Sequence, residues 1–286
     1  MKVIRANVSG FCTGVRRAVD LAYTATVHSG GRIYTLGPLI HNPQVLEELK
    51  YRGIEILNEN NLPENLYGAS VIIRAHGVSP QTEAELQRRG AALIDATCPR
   101  VKSSQLKAAA FAEAQYRLFL AGEERHAEIT GIRGYACSVI YAVVGNALEA
   151  KKAAAALYEE APNAPTAIIG QTTISAGEYQ EICAAITRFF PRLEIAETIC
   201  SATQERQDSL RHIADNVDAV IIAGGKDSAN TRRLLAIAEA IKPCVLVETA
   251  ADIPPDFFKY TTIGIASGTS TPDSVIDAIE RVLVNS

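Results

Sequence analysis

Three of the six cysteines lie where a short apolar run ends and a helix-like pattern begins. Cys12 stands in "NVSGFCTGVRRAVDLA", and Cys98 and Cys200 occupy the same kind of position in "DATCPRVKSSQLKAAA" and "ETICSATQERQDSLRH". In a chain with no disulfide framework, a cysteine at such a position is a candidate reactive or metal-binding thiolate. The other three lie inside apolar patterns and are interpreted as small buried hydrophobic residues: Cys137, Cys183 and Cys244.

Three converging thiolates would bind a metal centre and leave one metal position without a protein ligand. Single cysteines separated by about a third of the chain do not match the close Cys-x-x-Cys pairs of structural zinc sites. A [4Fe-4S] cluster on three cysteines would present one iron to a substrate as a Lewis acid able to pass electrons. A catalytic zinc ion with three protein ligands and a water fits the spacing equally well. The spacing alone leaves both possibilities open.

Strand-like runs alternate with helical patterns along the chain, as in "SVIIRA", "YRLFLA", "DAVIIAGG" and "TTIGIAS". This alternation predicts an α/β fold with mostly parallel sheets covered by helices, in which ligands bind at the carboxyl ends of the strands. Because the three cysteines recur at about a third of the chain, we predict three similar α/β domains that face a common centre. The predicted domains are residues 1–97, 98–197 and 198–286, the last with a C-terminal helix.

Three of the five histidines and one glutamate lie in loops between a predicted strand and the next helix. His41 is in "LGPLIHNPQ", His76 in "IIRAHGVSP", and His126 and Glu128 in "AGEERHAEITG". A lone histidine in a loop is usually a surface residue, but recurrence at equivalent positions favours a shared site. The remaining two keep a structural interpretation: His28 and His212.

Small hydroxyl and amide side chains occupy further strand-to-helix turns, in "GQTTIS", "GGKDSANTRR" and "ASGTSTPDS". One such residue is often only a helix N-cap. Together with histidines, however, they form the donor set that a diphosphate group needs. No P-loop and no dinucleotide fingerprint accompanies them, so electrons would come from a separate protein. The candidate donors are Thr172, Ser228, Asn230 and Ser270.

The composition argues against several other classes of function. The chain has 286 residues, a formal net charge of −4 and a pI near 5.8, which provide no basic field for a nucleic acid. The N-terminal apolar run is broken at Arg5 and Asn7, so no signal peptide is expected, and no run reaches the length of a membrane span. We therefore expect a cytoplasmic protein without a membrane or nucleic-acid partner.

Nine segments, in this order and over nearly the whole chain, resemble one known family: "GFCTGVRRA", "IHN", "AHGVS", "DATCP", "HAEITG", "QTTIS", "CSATQERQ", "KDSANTRRL" and "SGTSTPDS". The family is 4-hydroxy-3-methylbut-2-enyl diphosphate reductase, also called IspH or LytB. The resemblance implies a trefoil of three α/β domains around an oxygen-sensitive [4Fe-4S] cluster. It also implies reductive loss of the substrate's allylic hydroxyl to give isopentenyl and dimethylallyl diphosphate, the last step of the non-mevalonate pathway.

The resemblance also implies roles for individual residues. The three candidate cysteines would hold the cluster and leave one iron open. Glu128 resembles the family's proton donor, and Thr172 resembles the residue that links substrate and proton relay. An external donor such as ferredoxin or flavodoxin would supply electrons. His126 is implied to be catalytic together with Glu128 and Thr172. The substrate-binding residues implied are His41, His76, His126, Thr172, Ser228, Asn230 and Ser270, with a backbone N–H at Ala229.

Two positions depart from the family pattern. Ala229 stands where a serine is frequent, so only its backbone N–H is left to bind phosphate. Ala127 stands where a proline is common, which would loosen the loop that holds Glu128. Neither change touches the cysteines.

Two alternatives use almost the same residues. A non-catalytic iron-sulfur or zinc protein could sense redox state or a small phosphate, and a zinc hydrolase could use the open metal position. Glu128 discriminates against the sensor, because an anion-binding module gains nothing from an acid pointed at its ligand, whereas a reductase needs one.

Overall fold

A computed structural model of the chain describes residues 1–136 and 139–286. The interpretation of Cys137 as a buried hydrophobic residue lies outside this part of the chain. None of the described helices is long and apolar enough to cross a membrane. The strands are Lys2–Arg5 (β1), Ile33–Leu36 (β2), Ile54–Leu57 (β3), Ser70–Ile73 (β4), Ala92–Asp95 (β5), Arg117–Ala121 (β6), Ile140–Val144 (β7), Thr166–Gly170 (β8), Glu194–Ile195 (β9), Ala219–Ala223 (β10), Cys244–Val247 (β11) and Thr262–Ser267 (β12).

Helices connect most of these strands, and several begin with an N-cap that the sequence supplies. Ser175, for example, forms a capping box with Glu178, and Asn42 caps its helix through Val45. The helices are Thr13–His28 (α1), Pro43–Tyr51 (α2), Pro80–Arg88 (α3), Pro99–Glu113 (α4), Ala127–Ala136 (α5), Ala147–Glu160 (α6), Ala176–Thr187 (α7), Ser201–Ala214 (α8), Ala229–Glu239 (α9) and Asp273–Val284 (α10), with 3₁₀ turns at Ala250–Asp252 and Pro255–Lys259.

The strands form three four-stranded sheets with one shared order. The orders are β3-β2-β4-β5, β7-β6-β8-β9 and β11-β10-β12-β1. Parallel pairing joins β2 with β4, β4 with β5, β6 with β7 and β8, β8 with β9, β10 with β11 and β12, and β12 with β1. When the strands of a sheet are numbered by their order along the chain, they lie side by side in the order second, first, third, fourth. In the third sheet, the fourth position is occupied by β1, from the N-terminal end of the chain. The expectation of three similar parallel α/β units is confirmed.

Strand pairing departs from chain order at one point. Cys98 and Cys200 each follow the fourth strand of a sheet and directly precede a helix. β1, placed by the sequence in the first domain, pairs instead with β12. The strand before each cysteine joins strands that precede it in the chain or, for β1, strands at the far end of the chain. The spacing of strand-like segments along the sequence does not reveal these pairings, because it would be the same for any arrangement of neighbouring strands.

Two compact units are present, and each contains its own cores. One consists of Met1–Tyr23, Pro38–Ile54 and Ser201–Ser286, and the other of Thr24–Gly37 and Glu55–Cys200. In the second unit, β6 shows how the sequence builds a sheet covered on both faces. Leu118 and Leu120 point to the core under α4 and α5, whereas Phe119 between them points to the core under α6 and α7. Both faces are apolar because both are covered by helices.

A glycine in the left-handed region directly follows the first strand of every sheet. The three φ angles are +68° at Gly37, +154° at Gly122 and +150° at Gly224. Each glycine N–H donates to the last residue of the adjacent strand, at 2.9 Å. The turn therefore redirects the chain just beyond the strand end, where the candidate site residues begin.

We predict that Gly122→Ala lowers the free energy of unfolding by about 1 to 3 kcal/mol, because a side chain there is both strained and obstructed. A Cβ at this position would lie 2.6 Å from Gln171 Oε1. The matched control is Gly177→Ala in α7, where a Cβ meets nothing within 4 Å. That change should stabilise the helix by up to about 1 kcal/mol. Urea unfolding followed by circular dichroism measures both, and equal effects of the two substitutions would contradict the prediction.

Candidate active site

Each candidate cysteine is anchored by its backbone to the loop that follows the third strand of its own sheet. The cysteine N–H donates to a carbonyl of that loop in all three cases. Because the third and fourth strands are parallel neighbours, these bonds extend the sheet ladder beyond the strand ends. The three bonds join Cys12 to Thr269 (3.1 Å), Cys98 to Ala75 (2.9 Å) and Cys200 to Thr172 (2.9 Å).

All three cysteines immediately precede a helix and are partly exposed. The N–H of Val15 points at the sulfur of Cys12, with N and Sγ 3.5 Å apart. The N-terminus of a helix presents unpaired backbone N–H groups to such a sulfur. Cys183 differs: it is buried in α7, and burial raises the pKa of its thiol to about 11. Its predicted role as a small core residue is confirmed.

Five cysteines lie in the described part of the chain, and none of them is in a disulfide. Cys244 is partly buried against the core of the third sheet, and burial raises the pKa of its thiol. No three His, Cys, Asp or Glu side chains in residues 1–136 and 139–286 are grouped as ligands of a single metal ion. Three helix-start thiols do fit the chemistry of a cluster, since each thiolate of a cluster binds a different iron.

Glu128 is a buried carboxyl acid of the second unit. It lies in the first turn of α5 and is only 1% exposed. The N–H of Thr172 donates to its Oε1 at 2.7 Å, and the Thr172 hydroxyl donates to its Oε2 at 2.8 Å. Burial raises the pKa of Glu128 to about 7, although the two bonds from Thr172 lower it. Glu128 can therefore hold a proton near neutral pH and release it without a large cost.

His126 and His76 lie beside this carboxyl. The N–H of Glu128 donates to Nδ1 of His126 at 3.2 Å, so the neutral imidazole carries its proton on Nε2. The two imidazole rings meet edge to face with centroids 5.4 Å apart. A chain of contacts thus runs from Cys98, through the His76 loop and His126, to Glu128, Thr172 and Cys200. The structure brings six of the predicted site residues together within this one unit: Cys98, His76, His126, Glu128, Thr172 and Cys200.

The first unit contains the remaining predicted residues. The hydroxyl of Ser270 donates to the carbonyl of His41 at 3.2 Å, and Ser228 caps α9 by accepting from the N–H of Thr231. Asn230 is 3% exposed, and neither atom of its amide group has a hydrogen-bond partner among the described residues. A buried amide in this state is available to bind a polar ligand. This observation fits the diphosphate role.

The predicted residues occupy equivalent places in the three sheets. Loops after the third strand carry His76, Thr172 and Ser270. The connections after the first strand lead to His41, to His126 with Glu128 in the first turn of α5, and to Ser228 with Ala229 and Asn230 at the start of α9.

Gln171 was not among the site residues predicted from the sequence. Its buried Oε1 accepts from the N–H of Glu123 at 3.0 Å, and its Nε2 donates to Thr173 at 2.7 Å. It thereby ties the loop before His126 to the loop of Thr172. The sequence does show a second polar side chain directly after β8, next to Thr172, which was predicted as a site residue.

The fold and the site together define an α/β enzyme that carries thiols, imidazoles and a buried carboxyl acid at the carboxyl ends of parallel strands. Comparison with known proteins supports this class. The profile of the LytB family, described as "LytB protein", matches residues 3–284. The chain therefore belongs to the LytB family and is a reductase of that family. LytB reductases are iron-sulfur enzymes.

Several relatives are similar over nearly their whole length. Proteins described as 4-hydroxy-3-methylbut-2-enyl diphosphate reductase are 42% identical in Treponema denticola, over 99% of both chains, and 37% identical in Aquifex aeolicus, over 97% of this chain and 94% of that one. Among solved structures, one described as (E)-4-hydroxy-3-methyl-but-2-enyl diphosphate reductase, the terminal enzyme of the non-mevalonate pathway, has 36% identity and a TM-score of 0.73 over 100% of both chains. The Plasmodium falciparum reductase has 26% identity and a TM-score of 0.90 over 99% of this chain and 88% of that one.

We predict that Glu128→Gln changes how the stability of the cluster-free protein depends on pH. A carboxyl whose pKa is raised on folding contributes stability below its unfolded pKa of 4.5 and loses it as the pH rises through about 7. The neutral glutamine has no such loss. The variant should therefore match the wild type near pH 4 and exceed it by on the order of 3 kcal/mol near pH 8.5.

Chemical unfolding at the two pH values measures this difference. Glu181→Gln, at an exposed position of α7, is the matched control and should track the wild type at both pH values. A constant difference between Glu128→Gln and the wild type across the range would show that Glu128 does not titrate with a raised pKa.

Proposed function

We propose that this protein reduces (E)-4-hydroxy-3-methylbut-2-enyl diphosphate to isopentenyl diphosphate and dimethylallyl diphosphate. The observation that carries the proposal is the buried Glu128 carboxyl, bonded to Thr172 whose carbonyl in turn holds the N–H of Cys200. A proton donor is thus coupled to a candidate metal ligand through one residue. The relatives described above, which are named for this substrate, support the same reaction.

Cys12, Cys98 and Cys200 are the residues that would hold one [4Fe-4S] cluster, with one iron left without a protein ligand. Their helix-start positions and their thiols, which are not in disulfides, fit this role. When bound, the cluster supplies electrons and a Lewis-acid iron. The chain contains no flavin or nicotinamide fingerprint, so the electrons come from an external protein such as ferredoxin or flavodoxin.

The overall reaction consumes two electrons and two protons. One proton joins the departing hydroxyl to form water, and the other is added to the carbon skeleton. Glu128 holds the first proton in its acid form near neutral pH. With Glu128 protonated, its O–H donates to the Thr172 hydroxyl, which is then able to donate onward to the substrate oxygen. Thr172 therefore acts as the relay, because its hydroxyl both accepts and donates.

The diphosphate is bound by groups that donate hydrogen bonds. The imidazole N–H groups of His41, His76 and His126 donate hydrogen bonds to its charged oxygens, and His126 does so through Nε2. Asn230 contributes an amide that has no other partner among the described residues, and Ala229 contributes the N–H at the start of α9. The hydroxyls of Thr172, Ser228 and Ser270 complete the donor set. Binding at a distance from the broken bond orients the substrate.

A sensor that binds a metal centre and a small phosphate without turnover is the second function considered. The unpartnered Asn230 amide would serve such a protein equally well. Glu128 would not, because a buried acid that holds a proton near neutral pH adds nothing to anion binding and costs stability. The same residue is required by a reaction that forms water.

We predict that serine at Cys12, Cys98 or Cys200 removes most of the bound iron and abolishes turnover, because two thiolates cannot fix the cluster. Cys183→Ser and Cys244→Ser are the controls, since these residues pack against cores away from the helix starts. Iron per chain is measured after anaerobic reconstitution. Equal iron loss in both groups would rule out ligation by the three predicted cysteines.

We predict that Glu128→Gln keeps the iron content and substrate binding but lowers kcat by about two to four orders of magnitude, the range for loss of a general acid. Glutamine keeps the size and reach of the side chain but cannot deliver the proton. Turnover is measured with a chemical reductant so that the natural donor plays no part, and Glu181→Gln is the control. A variant that retained more than about half of the wild-type rate would show that the proton comes from another group.

A further inference from the structure

The segment of residues 7–11, which we call the Cys12 loop, is the longest connection between a fourth strand and its cysteine. In the other two sheets the ladder continues regularly towards the cysteine. Ala96 N–H donates to Ile73 and Cys98 N–H to Ala75. Between β9 and Cys200, the Ala196 and Cys200 N–H groups donate to Ile168 and Thr172, and the Thr198 hydroxyl donates to the Gly170 carbonyl between them. Between β1 and Cys12, the next bond to β12 after that of Ala6 runs from the Gly10 N–H to the Ser267 hydroxyl, so the chain bulges away from the sheet.

A buried arginine of α8 holds this bulge. The Arg206 side chain is 3% exposed. Its Nη2 donates to the Gly10 carbonyl at 2.5 Å, and its Nη1 donates to the Ser267 carbonyl at 3.1 Å, at the end of β12. Longer contacts of Nη1 reach the Val8 carbonyl at 3.5 Å and Ser267 Oγ at 3.4 Å. One guanidinium therefore joins the loop before Cys12 to the strand beside it.

The N–H groups of the same two loop residues, Val8 and Gly10, are also bonded. The N–H of Gly10 donates to Ser267 Oγ at 3.0 Å, and the N–H of Val8 donates to Ser209 Oγ, one turn further along α8, at 3.3 Å. Gly10 has a φ of +75°, and a Cβ there would lie 2.0 Å from Asp273 Oδ1. Contacts from α8, β12 and α10 thus fix the conformation of the Cys12 loop.

The choice of arginine has a physical reason. Burying a charge is costly unless its hydrogen bonds are made, and the planar guanidinium has donors in a fixed fork that can reach carbonyls of two segments at once. A lysine has the charge but not the fork. Since α8 begins at Ser201, directly after Cys200, Arg206 also belongs to the helix that starts at another of the candidate cysteines.

We infer that Arg206 is a positioning residue for Cys12: it fixes the Cys12 loop before any metal is present, so that the thiol is already in its binding orientation. This inference rests on the proposed function of Cys12 as a metal ligand. A preformed loop lowers the entropic cost of binding and slows release of the metal.

The test compares Arg206→Met, Arg206→Lys and the control Arg211→Met, which removes an exposed arginine of the same helix. In the cluster-free full chain, hydrogen exchange of the Cys12 loop amides should be about tenfold or more faster in Arg206→Met. Iodoacetamide should alkylate Cys12 about fivefold faster, whereas Cys98 and Cys200 in the same sample change by less than about twofold. After reconstitution, a chelator should remove iron about tenfold faster. Arg206→Lys should be intermediate, and Arg211→Met should match the wild type.

A folded Arg206→Met variant with unchanged exchange in the Cys12 loop would overturn the inference. So would an equal rise in alkylation at all three cysteines, which would reveal a general loosening of the fold. If Arg206→Met does not fold, Arg206→Lys decides by the same measurements. Should the wild-type chain hold no iron, the proposed function fails, while the exchange and alkylation of the cluster-free protein still decide the role of Arg206.

Discussion

In all three sheets, the hydrogen-bond ladder between the third and fourth strands continues past the ends of the strands, and the site depends on this continuation. The last bond in each ladder is made by a cysteine N–H. It sets the cysteine beside the loop that carries a second predicted site residue: His76 next to Ala75, Thr172 itself, or Ser270 next to Thr269. Parallel strands make this possible because their carboxyl ends lie at one edge. Backbone geometry, rather than side-chain contact, therefore pairs each thiol with a polar group.

Burial of the Glu128 carboxyl lowers the stability of the fold once the group is ionised. A buried acid is disfavoured once ionised, and only Thr172 donates to its oxygens among the contacts described. A second strong donor would have lowered the pKa further and made the group a poor acid at neutral pH. The present balance of burial against two hydrogen bonds leaves the pKa near 7, where the acid and the base forms are both accessible. The stability cost and the proposed catalytic role of Glu128 thus have the same origin.

The sequence predicted those parts of the molecule that depend on local pattern. Cysteines and polar residues directly after β-branched runs indicated the strand ends, and their recurrence indicated three similar units. Two features could not be predicted this way. The pairing of β1 with β12 joins opposite ends of the chain, and the bonds of Arg206 and Gln171 depend on loops far from them in sequence or on a choice among neighbouring polar residues. Local periodicity contains no information about such partners.

The pairing of β1 with β12 also explains why the three cysteines need different contacts to fix their positions. Cys98 and Cys200 follow strands that are continuous in the chain with the rest of their sheets, and a short connection places them. β1 reaches its sheet from the other end of the chain, and a longer loop leads to Cys12. A longer loop has more conformations to lose, so more contacts are needed to fix it. The buried guanidinium of Arg206, the Ser209 hydroxyl and the left-handed Gly10 supply those contacts, which the two shorter connections do not require.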